Sequence, residues 1–274
     1  MSEVSCSGVL ARGGPTYKVL VVLPDLHSGH KFGLTAPRDF SGSGPQRIDE
    51  KARLWQEQAW AWFKEEIQSV GPIDHCVVNG DAVDGRGERS GSVELITADR
   101  NGQVAIAEHV LEEVGAKKYT FVRGTPYHTG DEEDWEDNLA KAFDTVAEDH
   151  AWLEESGVVF DFKHHIGSST VPKAIPPALP REAVWNLLWA EKELQPKSHV
   201  IVRSHLHSFV YCGDESYLAM VTPALQGWTR YGARRMSKTI SYGFVEFRVY
   251  ETGEYTWRPH ILVPVFSAAS AKPL

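Results

Sequence analysis

Five short stretches of this sequence carry closely spaced carboxylates or imidazoles. They are Asp25 and His27 in "PDLHS", Asp81 and Asp84 in "NGDAVDG", His128 in "RGTPYHTG", His164 and His165 in "KHH", and His205 and His207 in "SHLH". Taken singly, each is an ordinary polar loop or turn. Taken together they form a set of Asp and His donors without a thiolate, which suits hard or borderline divalent ions such as Mn, Fe, Zn or Mg. The donors are too many for one ion. Two ions need a bridging carboxylate, and such a pair can hold a hydroxide between them.

Strands must bring these residues together. Each stretch follows a short run rich in β-branched or aromatic residues, at 18–23, 73–78, 119–122, 158–162 and 199–202. Helical patterns lie between them. Residues 47–70 carry Leu54, Trp55, Trp62, Phe63 and Ile67 on one side, and 98–114 repeat the pattern. Residues 133–146 follow Thr129 and Asp131 as N-caps, and 181–194 begin after Pro180. Strand alternating with helix predicts an α/β chain with crossover connections, whose strand ends gather where ligands bind. From Tyr217 the reading turns antiparallel, with Thr252-Gly253 as a hairpin turn. The long Gly/Pro/Ser-rich segments 28–45 and 166–180 are expected to be functional loops. No linker divides the chain, so residues 1–274 are expected to form a single domain.

The bulk composition is that of a globular protein. A net charge of -9 argues against a general polyanion binder, so any nucleic-acid contact needs a local basic patch. Three cysteines, an odd number without a C-x-x-C, speak against structural disulfides and a zinc ribbon and fit a reducing cytoplasm. The N-terminal residues lack a charged start followed by an apolar core, and no apolar run is long enough to span a bilayer. The expectation is a cytoplasmic protein without a membrane partner.

In order, "DLH", "GDAVD", "GTPYH", "KHH" and "SHLH" resemble the D-x-H, G-D-x-x-D, G-N-H-[DE], lone-His and G-H-x-H blocks of the calcineurin-like metallophosphoesterases, over residues 19–209. The resemblance implies a four-layer αββα sandwich of two mixed β-sheets flanked by helices, with the terminal strands in the second sheet. It also implies a binuclear, metal-dependent phosphoesterase that hydrolyses phosphomonoester or phosphodiester bonds with a metal-bridged hydroxide. Two divalent ions are implied, manganese favoured. Carried over residue by residue, Asp25, His27 and His207 bind the first ion and Asp81 bridges. His205 and one of His164 or His165 bind the second, His164 being preferred because it directly follows the strand. Asp84 orients the site by hydrogen bonding.

The third block departs from the family. Thr125 stands where the family has Asn, and the neighbouring His is displaced to His128. Either the Thr125 hydroxyl substitutes, or His128 becomes a ligand, or His128 remains the proton donor to the leaving oxygen. Such a variant suits a divergent bacterial or phage-type branch. Arg123 and the run "QGWTRYGARR", with Arg230, Arg234 and Arg235, are candidate anion clamps beside Thr125. The expected substrate is a phosphate ester, possibly a nucleotide or single-stranded nucleic acid. The alternative is a non-catalytic scaffold that uses the same fold to bind a partner. The nine Trp are expected to pack the core, and "DEEDWED" from Asp131 to be a helix N-terminus that favours negative charge.

Overall fold

Val19, Val21 and Leu23 of strand β1 (Tyr17–Leu23) are buried on one side of a sheet, and Leu20 and Val22 on the other. A strand apolar on both faces needs cover on both, and that requirement organises the fold. In the computed structural model, which describes residues 16–40, 48–87, 91–130, 134–167, 175–229 and 239–263, β1 is central in a six-stranded sheet. Strands β2 (His75–Asn79), β3 (Tyr119–Val122) and β4 (Ala147–Glu148) run parallel to it on one side. Strands β10 (Tyr242–Tyr250) and β11 (Tyr255–Leu262) run as an antiparallel hairpin on the other. The second sheet has the order β5 (Ala151–Glu155), β6 (Val158–Phe162), β7 (Val200–Arg203), β9 (Leu218–Val221), β8 (Val210–Gly213), and it too is mixed.

Three apolar clusters make the layers visible. Helices α2 (Glu50–Val70), α3 (Arg100–Val114) and α5 (Trp135–Ala142) pack Phe63, Val110 and Leu139 against Val21, Cys76 and Phe121 on the outside of the first sheet. Between the sheets lie Val22, Val77, Phe160, Phe162, Val202, Met220 and Phe247. Helix α6 (Ile175–Glu191) covers Ile201, Ala219 and Val221 of the second sheet with Ala178, Leu179 and Ala183. Single helical turns α1 (Pro37–Phe40) and α4 (Pro126–Thr129) lie in the loops. The chain is therefore the expected four-layer αββα sandwich of two mixed sheets flanked by helices.

The structure corrects several details. The terminal hairpin belongs to the first sheet, not the second. The reason is again two-faced burial: Tyr242 and Phe244 of β10 face the helices while Val245, Phe247 and Val249 face the second sheet, the same demand that β1 makes. The two strands pair from Tyr17 with Tyr250 to Val22 with Val245. Asp49 and Asp99 cap α2 and α3, each accepting a helix N–H, so these helices begin two or three residues later than expected. The cap of α5 is Asp134; Asp131 and Glu133 lie outside the described residues. That helix ends at Ala142, where Phe143 turns the chain and Asp144 takes a φ of 55°. Helix α6 starts at Ile175, so Pro180 is inside it instead of ahead of it. Past the first turn, Pro180 leaves the carbonyl four residues earlier without its i→i−4 donor. Cys76 and Cys212 are free thiols, and no helix among the described residues is long and apolar enough to cross a membrane.

Candidate metal centre

The loops that leave β1 and β2 run side by side. Asp25 N–H donates to the Gly80 carbonyl (3.1 Å), His27 N–H to Asp81 (2.9 Å) and Ser28 N–H to Ala82 (3.0 Å), and Asp84 N–H returns to Ser28 (3.1 Å). From the second sheet, the turns after β6 and β7 meet where Ser204 N–H donates to the His164 carbonyl (2.9 Å). His205 N–H then reaches Asp25 Oδ2 at 3.2 Å. Asn79, Ser204 and Thr222 form a buried hydrogen-bonded chain across the sheets. Two glycines make the approach possible. A Cβ on Gly80 would collide with the His164 ring, and one on Gly124 with Asp81.

Asp25, His27, Asp81, His205 and His207 all have φ between 45° and 68°. Non-glycine residues rarely enter this left-handed region, at roughly 1–2 kcal/mol each, and such strain gathers at functional sites. It turns the five side chains inward. Their donors form triads within 4.8 Å: Asp25, His27 and His207; Asp81, His164 and His205; and His27, Asp81 and His128. His207 Nε2 lies 3.2 Å from Asp25 Oδ1 and 3.3 Å from His27 Nε2. His164 Nε2 lies 3.1 Å from Asp81 Oδ2, and His27 Nε2 lies 4.0 Å from the nearest oxygens of both Asp25 and Asp81. Donors about 2.0–2.2 Å from one ion stand roughly 3–4 Å apart, so the spacing fits shared coordination. The orphans point the same way. Asp25 Oδ1 and His164 Nε2 are buried without a hydrogen-bond partner, the close approaches lacking the required geometry.

Other groups set which ring nitrogen faces inward. Asp84 Oδ1 is 2.9 Å from His27 Nδ1, the Asn79 carbonyl 2.8 Å from His164 Nδ1, and the Asp84 carbonyl 2.8 Å from His128 Nδ1. Each of these Nδ1–H groups donates outward, leaving Nε2 with its lone pair toward the centre. Gln226 donates to the same Asp84 oxygen (3.3 Å). Burial lowers the His27 and His205 imidazoles, His205 to about 4, which favours their neutral, ligating form. Burial also pushes the Asp81 carboxyl up, but His164 and then His128 outweigh it and hold it well below its ordinary value. His164 in turn is raised to about 10, because Asp81 and Asp25 overcome its burial. The carboxylates thus demand a positive charge here, which a dication supplies better than a proton on His164.

His164, His205 and His207 stand in the cluster, while His165 is exposed, its ring 4.8 Å from that of His205. Thr125 is directed at Asp81: its N–H (2.7 Å) and hydroxyl (3.0 Å) both donate to Asp81 Oδ1. Arg123 is turned to acids of its own neighbourhood. Its nitrogens contact Asp134 (3.2 Å), Asp137 (2.7 Å) and Asp149 (3.1 Å), so its charge is already matched. Arg230, Arg234 and Arg235 lie outside the described residues. One residue escaped the sequence reading. Glu136, in the acidic run, is buried and accepts N–H bonds from Ala82 (2.7 Å) and Gly124 (2.6 Å), fastening the turns on both sides of Asp81. Burial, and then the charge of Asp81, raise its carboxyl to about 8. The centre opens to solvent past His128 and His207, whose side chains are 20% and 15% exposed against 3% or less for Asp25, His27, Asp81 and His164.

In its layer order and its succession of Asp and His blocks, the chain resembles the calcineurin-like metallophosphoesterases. No family model and no curated protein matches it. Among solved structures it is similar to Vacuolar Protein Sorting 29 from Cryptosporidium parvum, at 10% identity and TM-score 0.48, over 90% of this chain and 99% of that one. It is similar to wild-type Vps29 complexed with zinc from Entamoeba histolytica, at 9% identity and TM-score 0.41, over 89% and 98% of the two chains. It is also similar to a novel archaeal phosphodiesterase, at 12% identity and TM-score 0.41, over 88% and 99%.

Proposed function

We propose that this protein is a metal-dependent phosphoesterase with a two-ion centre. Asp25, His27 and His207 hold one ion, His164 and His205 the other, and Asp81 lies between them. The observation that carries the reading is the convergence of these donors around two buried, partnerless atoms, Asp25 Oδ1 and His164 Nε2. When bound, the ions supply a nucleophile from water at neutral pH and neutralise charge on the phosphoryl oxygens. The chain's own residues do the positioning. Asp84 and the Asn79 carbonyl aim His27 and His164, Thr125 holds Asp81, and Glu136 holds the turns that carry both. His128 faces the opening with Nδ1 committed to the Asp84 carbonyl and stands in one triad with His27 and Asp81, and we assign it as an additional ligand where the family has Asn. Manganese is the favoured metal, and the substrate is a phosphomonoester or phosphodiester, a nucleotide or single-stranded nucleic acid among the candidates.

The test is metal analysis together with turnover of p-nitrophenyl phosphate and bis(p-nitrophenyl) phosphate, with Mn²⁺ and with chelator. We expect two metal equivalents and chelator-sensitive turnover of at least one ester. In Asp81→Asn we expect loss of turnover by about a hundredfold or more and loss of bound metal, since an amide cannot balance two dications. Two equivalents of metal with no turnover of either ester would favour a scaffold. A metal-free protein that still hydrolyses the esters would refute the reading altogether.

A further inference from the structure

The outer faces of the two sheets are covered unequally. Among the described residues, three helices lie on the first sheet, whereas α6 alone packs a cluster on the second. Its inward side carries Leu179, Ala183 and Asn186, all buried. Its outward side shows Val184 (54% exposed), Trp185 (52%), Leu187 (46%), Leu188 (47%) and Trp189 (43%). Two tryptophans among three aliphatic residues are costly to leave in water. With aromatic side chains offering about 150–250 Å² each, the exposed apolar area is on the order of 500 Å². That matches the apolar share, about 60%, of a standard interface of roughly 800 Å² per partner.

We infer that α6 is a self-association surface, on which a second copy of this chain docks its own α6 antiparallel about a two-fold axis at the level of Asn186. The charges select this occupant. Exposed Arg181 stands five residues before Asn186, and exposed Glu191 five residues after it. In the antiparallel pair, Arg181 of each copy meets the partner's Glu191, two reciprocal ion pairs from one helix. The same symmetry sets Val184 against the partner's Leu188 and brings Trp185 of the two copies together along one flank of the seam. Lys192, over the Trp189 ring at 5.6 Å, borders the patch. A membrane surface would use the apolar face but not this pairing of opposite charges.

Sedimentation velocity of the full chain across the micromolar range tests the inference. The wild type should sediment as two chains. Trp185→Glu with Leu188→Glu should weaken dimerisation at least a hundredfold while leaving metal content unchanged. Arg181→Glu and Glu191→Arg, two milder surface changes, should each weaken the dimer about tenfold, and the double exchange should restore it. A wild-type monomer throughout the range would overturn the inference, as would a dimer indifferent to the Trp185/Leu188 pair or a double exchange without recovery. Capture of the monomer on phosphatidylcholine vesicles, abolished by Trp185→Glu, would assign the face to lipid and overturn it as well.

Discussion

His128 sits where a ligand and a proton donor are hardest to tell apart. Its ring stands edge-on to His27, 4.6 Å between centroids, and its Nδ1 is bound to the Asp84 carbonyl. With Nδ1 donating to the Asp84 carbonyl, Nε2 is the nitrogen free to act, as a ligand in the neutral ring or as a proton donor in the imidazolium. The ligand assignment, which rests on the triad with His27 and Asp81, leads us to expect that His128→Ala lowers turnover similarly for nitrophenyl esters and for esters with poor leaving groups, and reduces bound metal. A loss confined to poor leaving groups, with full metal content, would restore the proton-donor role. The donors that the fold gathers were legible in the sequence because D-x-H, G-D and S-H-x-H are spacings that survive without neighbours. Glu136 was not. One carboxylate in a run of six gives no local sign of which one turns inward, since that depends on the register of α5 against the turns after β2 and β3. Arg123 hid its partners for the complementary reason. Its position beside the third block suggested a clamp, but the acids that neutralise it come from 11 to 26 residues downstream, where only folding brings them.

At the scale of elements, β6, β7 and α6 are joined by a buried charge cluster. Arg203 binds Asp161 at 2.6 Å and Glu182 of the helix at 3.0 Å, and His150 Nε2 reaches the same Asp161 oxygen at 2.9 Å. Burial alone would raise the Asp161 carboxyl, but His150 and then Arg203 hold it below its ordinary value. Its stabilising contribution is therefore full above about pH 4 and is lost as pH falls through the lowered folded value. Thermal melts from pH 6 to pH 2 should show a shallower acid decline in Asp161→Asn than in the wild type, and parallel curves would remove Asp161 from the account. Arg203→Met strands a buried carboxylate and should lose about 3–5 kcal/mol in urea unfolding at neutral pH. The strands that lead into the site were readable because their apolar runs are short and dense, whereas β4, β5 and β8, which lack such runs, were not. Helix starts were not, because capping by Asp49, Asp99 and Asp134 was decided among several nearby acids or polar residues. The start of α6 was masked by Pro180.

For the molecule as a whole, the centre is a fastening between halves. Asp25, His27 and Asp81 follow strands of the first sheet, and His164, His205 and His207 follow strands of the second, so each donor triad but the one with His128 spans both. Ions bound there only in the folded state stabilise it by about 2.7 kcal/mol at a hundredfold excess over Kd. Chelation should lower the melting temperature by at least about 5 °C, and a melt unmoved by chelator would deny the ions this bridging place. The pairing of β1 with β10 has a different consequence, for the order in which the chain is made. The ribosome releases β1 long before its neighbour β10, so one edge of the growing sheet stays open until β10 emerges. An open, apolar edge invites pairing with other chains. A chain stopped before Tyr242 should accumulate in the insoluble fraction of a cell-free translation, and supplying residues 239–263 as a separate fragment should return it to solution. If the shortened chain were as soluble as the full one, β10 would not be the strand that guards that edge.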